Sequence, residues 1–262
     1  MAFAHINGTV VHYEMLGDPA ARNIFVFSNS LGTDFRIWLP IFDELADNIS
    51  VLVYDSRGHG LSGGADQPFT MADLVEDLIG LVEHVGIKKA VFCGLSVGGL
   101  IVQGLWARRP DLVRKIVLCD TAPKIGSDDT WNTRIQAIRD GGLASISAGV
   151  MEKWFTPDFH DERPEDLAGY RLMLERQPAE GYIATCEALR DTDYTDVLET
   201  ITVPTLLIVG AQDGSTPPEL VRAASERIPG ASFEVIEGCG HIPCVEQPEA
   251  LAALIQQFAK RS

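Results

Sequence analysis

Residues 94–98 read Gly-Leu-Ser-Val-Gly, a G-x-S-x-G pattern that presents Ser96. A serine hydroxyl is a weak nucleophile unless it is held clear of the backbone, beside a base and beside amide donors. A strand that turns sharply into a helix meets all three needs. The flanks suit that turn: Lys89 to Cys93 is a β-rich run, and Leu100 to Leu105 is apolar at helical spacing. Gly94 and Gly98 fit because a Cβ on either would crowd a serine held in a strained backbone region. The helix expected over residues 99–109 would aim its N-terminal amides at the reacting centre. The competing reading is a glycine-rich turn that serves only tight strand-to-helix packing.

A serine nucleophile needs a base, and open α/β sheets gather their ligands at the C-terminal ends of strands. Two of the six histidines stand at such ends. His241 follows the last β-rich run in Glu-Gly-Cys-Gly-His, and His59 lies in Asp55-Ser-Arg-Gly-His-Gly after an earlier one. His5 and His12 fall in an N-terminal hairpin, His84 on a helix and His160 in a helical stretch. A carboxylate that fixes the imidazole tautomer and stabilises the imidazolium should come from another such loop. Asp213 follows the run 205–209 in Gly-Ala-Gln-Asp-Gly-Ser-Thr-Pro-Pro, and Asp120 ends the run before it in Leu-Cys-Asp-Thr. Asp213 is preferred, because glycine and proline around it hold a loop acid in place. The tetrahedral intermediate needs two amide donors, one from Val97 after the nucleophile and one from the loop Phe27-Ser-Asn-Ser-Leu-Gly-Thr-Asp, where Leu31 is the expected donor.

These residues need a sheet to position them. Phe3 to Ile6 and Val10 to Tyr13 flank Asn7-Gly8, a strong short-range hairpin signal. Six further runs, 24–27, 51–54, 90–93, 115–119, 205–209 and 233–236, are nearly continuous in Val, Ile, Leu or Phe, as strands buried on both faces must be. Between them lie helical patterns, clearest over Met71 to Val85 with a capping pair at Thr70 and Asp73. The alternation lapses from Pro123 to Thr200, where four or so helical segments and no good strand are expected. The reading is one α/β domain: a core of residues 1–122 and 201–262 with helices on both faces of a mostly parallel sheet, and residues 123–200 as a helical cap over the site.

Composition narrows the function classes. The chain has 262 residues, 46% of them hydrophobic, enough for one large core. The formal charge is −16, from 37 acidic and 21 basic residues, with no basic run, which excludes nucleic acid as a partner. An anionic substrate would therefore need its own Arg or Lys in the pocket. No apolar stretch reaches membrane-spanning length, and Met-Ala-Phe-Ala-His lacks the basic-then-apolar pattern of a leader, so a cytoplasmic protein with no membrane partner is expected. Cys93, Cys119, Cys186, Cys239 and Cys244 are odd in number and lack disulfide spacing, so they are expected to be reduced. Cys239, His241 and Cys244 form C-x-H-x-x-C, but no second cluster completes a tetrahedral set and no metal is expected.

Taken together, Asp55-Ser-Arg-Gly-His-Gly-Leu-Ser, Gly94-Leu-Ser-Val-Gly-Gly, Asp213 and Gly240-His-Ile-Pro-Cys-Val-Glu-Gln-Pro resemble the α/β-hydrolase superfamily across nearly the whole chain. The resemblance implies the chain order serine, acid, histidine, which selects His241 over His59 as the base. Most members carry His-Gly where this chain has Asn29-Ser30. That variant loop, with Phe92-Cys-Gly-Leu-Ser and Leu118-Cys-Asp-Thr-Ala-Pro-Lys-Ile-Gly-Ser, is similar to 3-oxoadipate enol-lactone hydrolases of the β-ketoadipate pathway in aromatic catabolism. The likeness implies cofactor-free ring opening of a carboxylate-bearing lactone through a Ser96 acyl-enzyme. Its carboxylate would meet a cation of the cap, with Lys124, Arg134, Arg139 and Arg171 as candidates near Trp131 and Trp154. Arg134 is preferred, one helical step from Trp131. The alternatives are a general carboxylesterase, a cofactor-free perhydrolase, and a lactone receptor that signals through its cap. Ser96 stands where haloalkane dehalogenases use a carboxylate, which disfavours that chemistry.

Overall fold

A computed structural model describes residues 1–45 and 49–260. Its centre is one eight-stranded sheet. The strands are β1 (Ala2–Ile6), β2 (Thr9–Leu16), β3 (Ile24–Ser28), β4 (Ser50–Tyr54), β5 (Ala90–Leu95), β6 (Val113–Cys119), β7 (Thr205–Gly210) and β8 (Ser232–Ile236). They lie in the order β1-β2-β4-β3-β5-β6-β7-β8. β1–β2 and β2–β4 are antiparallel and the remaining pairs are parallel. The hairpin forms as its turn residues dictate: Asn7 and Gly8 both take positive φ, +45° and +80°, and close Ile6 onto Thr9. β3, β4, β5 and β7 are buried at every position, which matches their unbroken apolar sequence.

Helices longer than one turn are α1 (Met71–Val85), α2 (Val97–Arg108), α3 (Asp128–Gly141), α4 (Ala144–Trp154), α5 (Pro157–Glu162), α6 (Pro164–Glu175), α7 (Ala179–Arg190), α8 (Pro218–Glu226) and α9 (Pro248–Lys260). α1 has the expected limits, set by the Thr70–Asp73 capping box and by Gly86 in the left-handed region. α2 begins two residues earlier than expected, at Val97, because Ser96 itself is its cap. Between β6 and β7 the described residues form no strand and six helices, α3 to α7 and a single turn at Thr195–Leu198. The sequence suggested about four. The added breaks fall at Pro157 and Pro164, each of which starts a new helix after a residue it keeps out of helical geometry.

A buried hydrogen-bond hub ties the hairpin to the sheet. Asp55 accepts from the Phe35 and Leu61 amides at 2.9 Å each and pairs with His12 Nδ1 at 2.7 Å. This second His–Asp pair gives no signal in sequence, because residues 12 and 55 meet only through the β2–β4 pairing. Ser62 Oγ accepts from the His12 amide and donates to the Asp55 carbonyl. No helix of the described residues is long and apolar enough to cross a membrane.

Candidate active site

Every residue singled out for chemistry in the core stands at the C-terminal end of a parallel strand. Ser96 follows β5, Asp120 follows β6, Asp213 lies three residues beyond β7 and His241 five beyond β8. Ser96 has φ +56° and ψ −118°, a conformation that a side-chain-bearing residue adopts only where its surroundings enforce it. They do so here through hydrogen bonds to its backbone, the shorter of which are these. The Ser96 amide donates to the Cys119 carbonyl at 3.0 Å, while its carbonyl accepts from the Gly99 amide at 2.9 Å and the Thr121 hydroxyl at 2.7 Å. A Cβ at Gly94 would run into the Gly98 carbonyl, and one at Gly98 into the Ser28 carbonyl. Both glycines are therefore required by close backbone approach.

His241 and Asp213 meet, with Nδ1 of the imidazole 2.8 Å from Oδ2 of the carboxylate. Asp213 also accepts from the Ser215 amide at 2.7 Å, the Thr216 amide at 3.1 Å and the Thr216 hydroxyl at 2.6 Å. Burial alone would raise the Asp213 carboxyl, but His241 and these donors outweigh it and hold the group below the ordinary carboxylate value. An ionised Asp213 accepts a hydrogen bond from Nδ1–H of the imidazole, which fixes the tautomer and leaves Nε2 as the basic nitrogen. His59, the other strand-end histidine, is buried with Nδ1 toward the Arg57 carbonyl at 3.3 Å, and its Nε2 meets no partner among the described residues. Burial pushes it down to about 4, and it packs against Tyr182 instead of a carboxylate. Asp120 Oδ1 accepts from the Gly210 amide at 2.9 Å, so this carboxyl supports β7 and is not hydrogen-bonded to the imidazole.

Ser96 and His241 share the wall of a cavity of about 70 Å³ with Leu31, Trp131, Arg134, Lys153, Trp154, Tyr182 and Ser215. The amides of Leu31 and Val97 donate to no other protein group among the described residues, and Val97 is the first residue of α2, where amides have no intrahelical acceptor. The loop that carries Leu31 is fixed by Asn29, whose Nδ2 donates to the Tyr54 carbonyl at 2.7 Å and whose Oδ1 accepts from Trp38 Nε1 at 2.9 Å. Asn29 thus anchors the loop from below. A larger cleft of about 670 Å³, lined by His12, Arg36, Tyr170 and Arg176 among others, includes none of these groups.

Of the four candidate cations, Arg134 alone reaches the cavity. Lys124 donates to the Arg190 carbonyl, Arg139 pairs with Glu187 at 3.5 Å, and Arg171 pairs with Glu175 at 2.8 Å. Arg134 lies over the Trp131 ring at 5.2 Å and donates to the Tyr182 hydroxyl at 3.4 Å. Among the described residues it pairs with no carboxylate. Sequence reasoning missed Lys153, Tyr182 and Ser215. Lys153 had a usable signal, since it adjoins Trp154. Tyr182 and Ser215 arrive through the docking of α7 and the turn around Asp213, which no local pattern reveals.

Over residues 25–254 the chain matches the alpha/beta hydrolase family. It belongs to that family. The chain is 37% identical over 251 residues to 3-oxoadipate enol-lactonase 2 of Acinetobacter baylyi, covering 96% of this chain and 93% of that one. It is 35% identical to 3-oxoadipate enol-lactonase 1 of the same organism, over 94% of this chain and 91% of the relative. Among solved structures, the enol-lactonase from Burkholderia xenovorans superposes with a TM-score of 0.95 at 35% identity, over 99% of this chain and 100% of the other. For this α/β-hydrolase, the arrangement can support acyl transfer: a strained serine, a carboxylate-held imidazole and Leu31 line one cavity, and Val97, whose amide is uncommitted, directly follows the serine.

Proposed function

We propose that this hydrolase opens a carboxylate-bearing enol-lactone, 3-oxoadipate enol-lactone, to 3-oxoadipate by way of a Ser96 acyl-enzyme. The observation that carries the reading is Arg134, a cation without a carboxylate partner in the same cavity as Ser96 and His241. In a chain of net charge −16, a half-buried guanidinium that pairs with no carboxylate among the described residues, beside a nucleophile, suits an anionic substrate. The enol-lactonases among its relatives support the same substrate.

In this mechanism Ser96 Oγ attacks the lactone carbonyl as His241 Nε2 takes its proton. Asp213 stabilises the imidazolium, and the Leu31 and Val97 amides receive the oxyanion; each such donor is worth about 3 kcal/mol in the transition state. The ring C–O bond then breaks, its electron pair leaves on the enol oxygen, and the imidazolium returns the proton. The enol tautomerises to the ketone. Water deprotonated by His241 next attacks the acyl-enzyme and releases the second carboxylate with free Ser96. No step calls for a cofactor.

The test is direct. Purified protein incubated with the enol-lactone should abolish its ultraviolet absorbance, and Ser96→Ala should slow that loss by about 10⁴-fold or more. Equal rates for the two proteins would overturn the assignment of Ser96. A wild type that hydrolyses p-nitrophenyl acetate but leaves the lactone intact would replace the substrate with a neutral ester.

A further inference from the structure

Only three non-glycine residues among those described have positive φ: Asn7 in the hairpin turn, Ser96, and Asp120 at +47°. Strain of this kind persists where the surrounding structure holds it, and two of the three instances directly follow the paired strands β5 and β6. Asp120 is fully buried. Its amide donates to the Ile208 carbonyl at 2.8 Å, and its Oδ1 accepts from the Gly210 amide at 2.9 Å. Its Oδ2 is sealed from solvent and meets no hydrogen-bond partner among the described residues. A carboxylate oxygen of Asp120, one of Asp213 and a ring nitrogen of His241 all lie within 4.8 Å of one another.

Two buried carboxyls this close to one imidazole do not both carry charge. The donors decide which one ionises. Asp213 collects two amides, one hydroxyl and the imidazole, whereas Asp120 has a single amide and a bare oxygen. We propose that Asp120 is a positioning residue that remains a neutral acid during turnover and offers its Oδ2–H to the Asp213 carboxylate, so that the relay runs Ser96, His241, Asp213, Asp120. The proposal rests on the assignment of Ser96, His241 and Asp213 given above. Sharing its charge with a neutral acid makes Asp213 a weaker partner for imidazolium, a change the pH profile of an Asp120 variant would report.

The direction of titration agrees. Burial first, then the charge of Asp213, pushes the Asp120 carboxyl well above the usual carboxylate range, while Asp213 is held below it. The other titratable groups facing Asp120 are Cys119 on its own strand, His241 and Cys239 from the loop after β8, and Cys244 from the following turn. The thiols stay protonated: Cys119 through its contact with Cys93 and burial, Cys239 and Cys244 through burial. Asp213 and His241 are thus the charges that Asp120 answers to.

Two measurements test this. In the infrared at neutral pH, the wild type should show the carbonyl stretch of a buried protonated carboxylic acid, and Asp120→Asn should lack it. This arm needs no turnover, so it stands even if the substrate assignment fails. In kcat/KM against pH, Asp120→Ala, which deletes the donor, should move the acid limb upward by about one pH unit, the scale of one hydrogen bond to a charged group. Asp120→Asn keeps an N–H donor in place, so its acid limb should coincide with that of the wild type. A missing carboxylic-acid band, or an acid limb displaced equally in Asn and Ala variants, would overturn the proposal. Should Asp120→Ala fail to fold, the infrared comparison and the Asn profile still decide it.

Discussion

Replacing Arg134 separates a charge-selective pocket from a generic one. The guanidinium is half-buried, backed by the Trp131 face at 5.2 Å and steadied by the Tyr182 hydroxyl. A carboxylate docked about 4 Å away would gain roughly 4 kcal/mol at an effective dielectric of about 20, and desolvation offsets part of that. A hydrogen bond to a charged group nets about 1.5–3 kcal/mol. Each 1.36 kcal/mol is tenfold, so Arg134→Ala should lower kcat/KM for the charged lactone by about 10- to 150-fold, chiefly through KM. For neutral p-nitrophenyl acetate the change should stay below about threefold, since no charge is lost from that complex. Arg134→Lys should recover part of the loss, because a point charge remains but the planar fork over Trp131 does not. The assay is steady-state hydrolysis of both substrates at low and high salt. Lys153, exposed on the same wall, should be the salt-sensitive contributor, and Arg134 much less so. Equal losses on lactone and ester would refute the reasoning and make Arg134 a packing residue.

Two further outcomes follow from the packing around the site. His59 is held neutral in the folded chain, at about 4 against roughly 6.5 when unfolded, so its contribution is complete above pH 7 and lost as pH falls from 6.5 toward 4. Wild type should therefore lose about 2 kcal/mol more than His59→Asn between pH 7 and pH 5 in urea unfolding, and parallel losses would remove His59 from the account. Glu246 joins the helical insertion to the His241 loop: it accepts from the Thr156 amide at 3.0 Å, the Thr156 hydroxyl and the Gly240 amide at 2.7 Å. Glu246→Gln sets an N–H against one of these donors and should cost about 1–3 kcal/mol in stability with a fall in kcat, and a neutral result in both would show the contact to be idle.

How much of this was legible in the sequence varies with the range of the interaction involved. The sheet was readable because strands buried on both faces must be apolar throughout, and the hairpin because Asn7-Gly8 accepts positive φ where few residue pairs do. Ser96, Asp213 and His241 were readable because each lies within a few residues of a strand end, so local sequence places it at the correct edge. Arg134 could be named but not separated from Lys124, Arg139 and Arg171, since that choice depends on how α3 docks. The His12–Asp55 hub and the unpartnered oxygen of Asp120 were beyond reach for the same reason. Each depends on two or three segments far apart in the chain, and no periodicity reports on the gap between them.

The His241 amide donates to the Trp154 carbonyl at 2.8 Å, which joins the end of α4 to the loop that carries the imidazole. The chamber of about 70 Å³ is small against the roughly 300–1,000 Å³ of typical ligand pockets, and Trp154 is part of its wall. Were the wall to swing at Trp154, it would drag the imidazole off Asp213. Among the described residues Trp131, Arg134 and Tyr182 make no hydrogen bond to His241, so a displacement on their side would leave the His241–Asp213 pair in place.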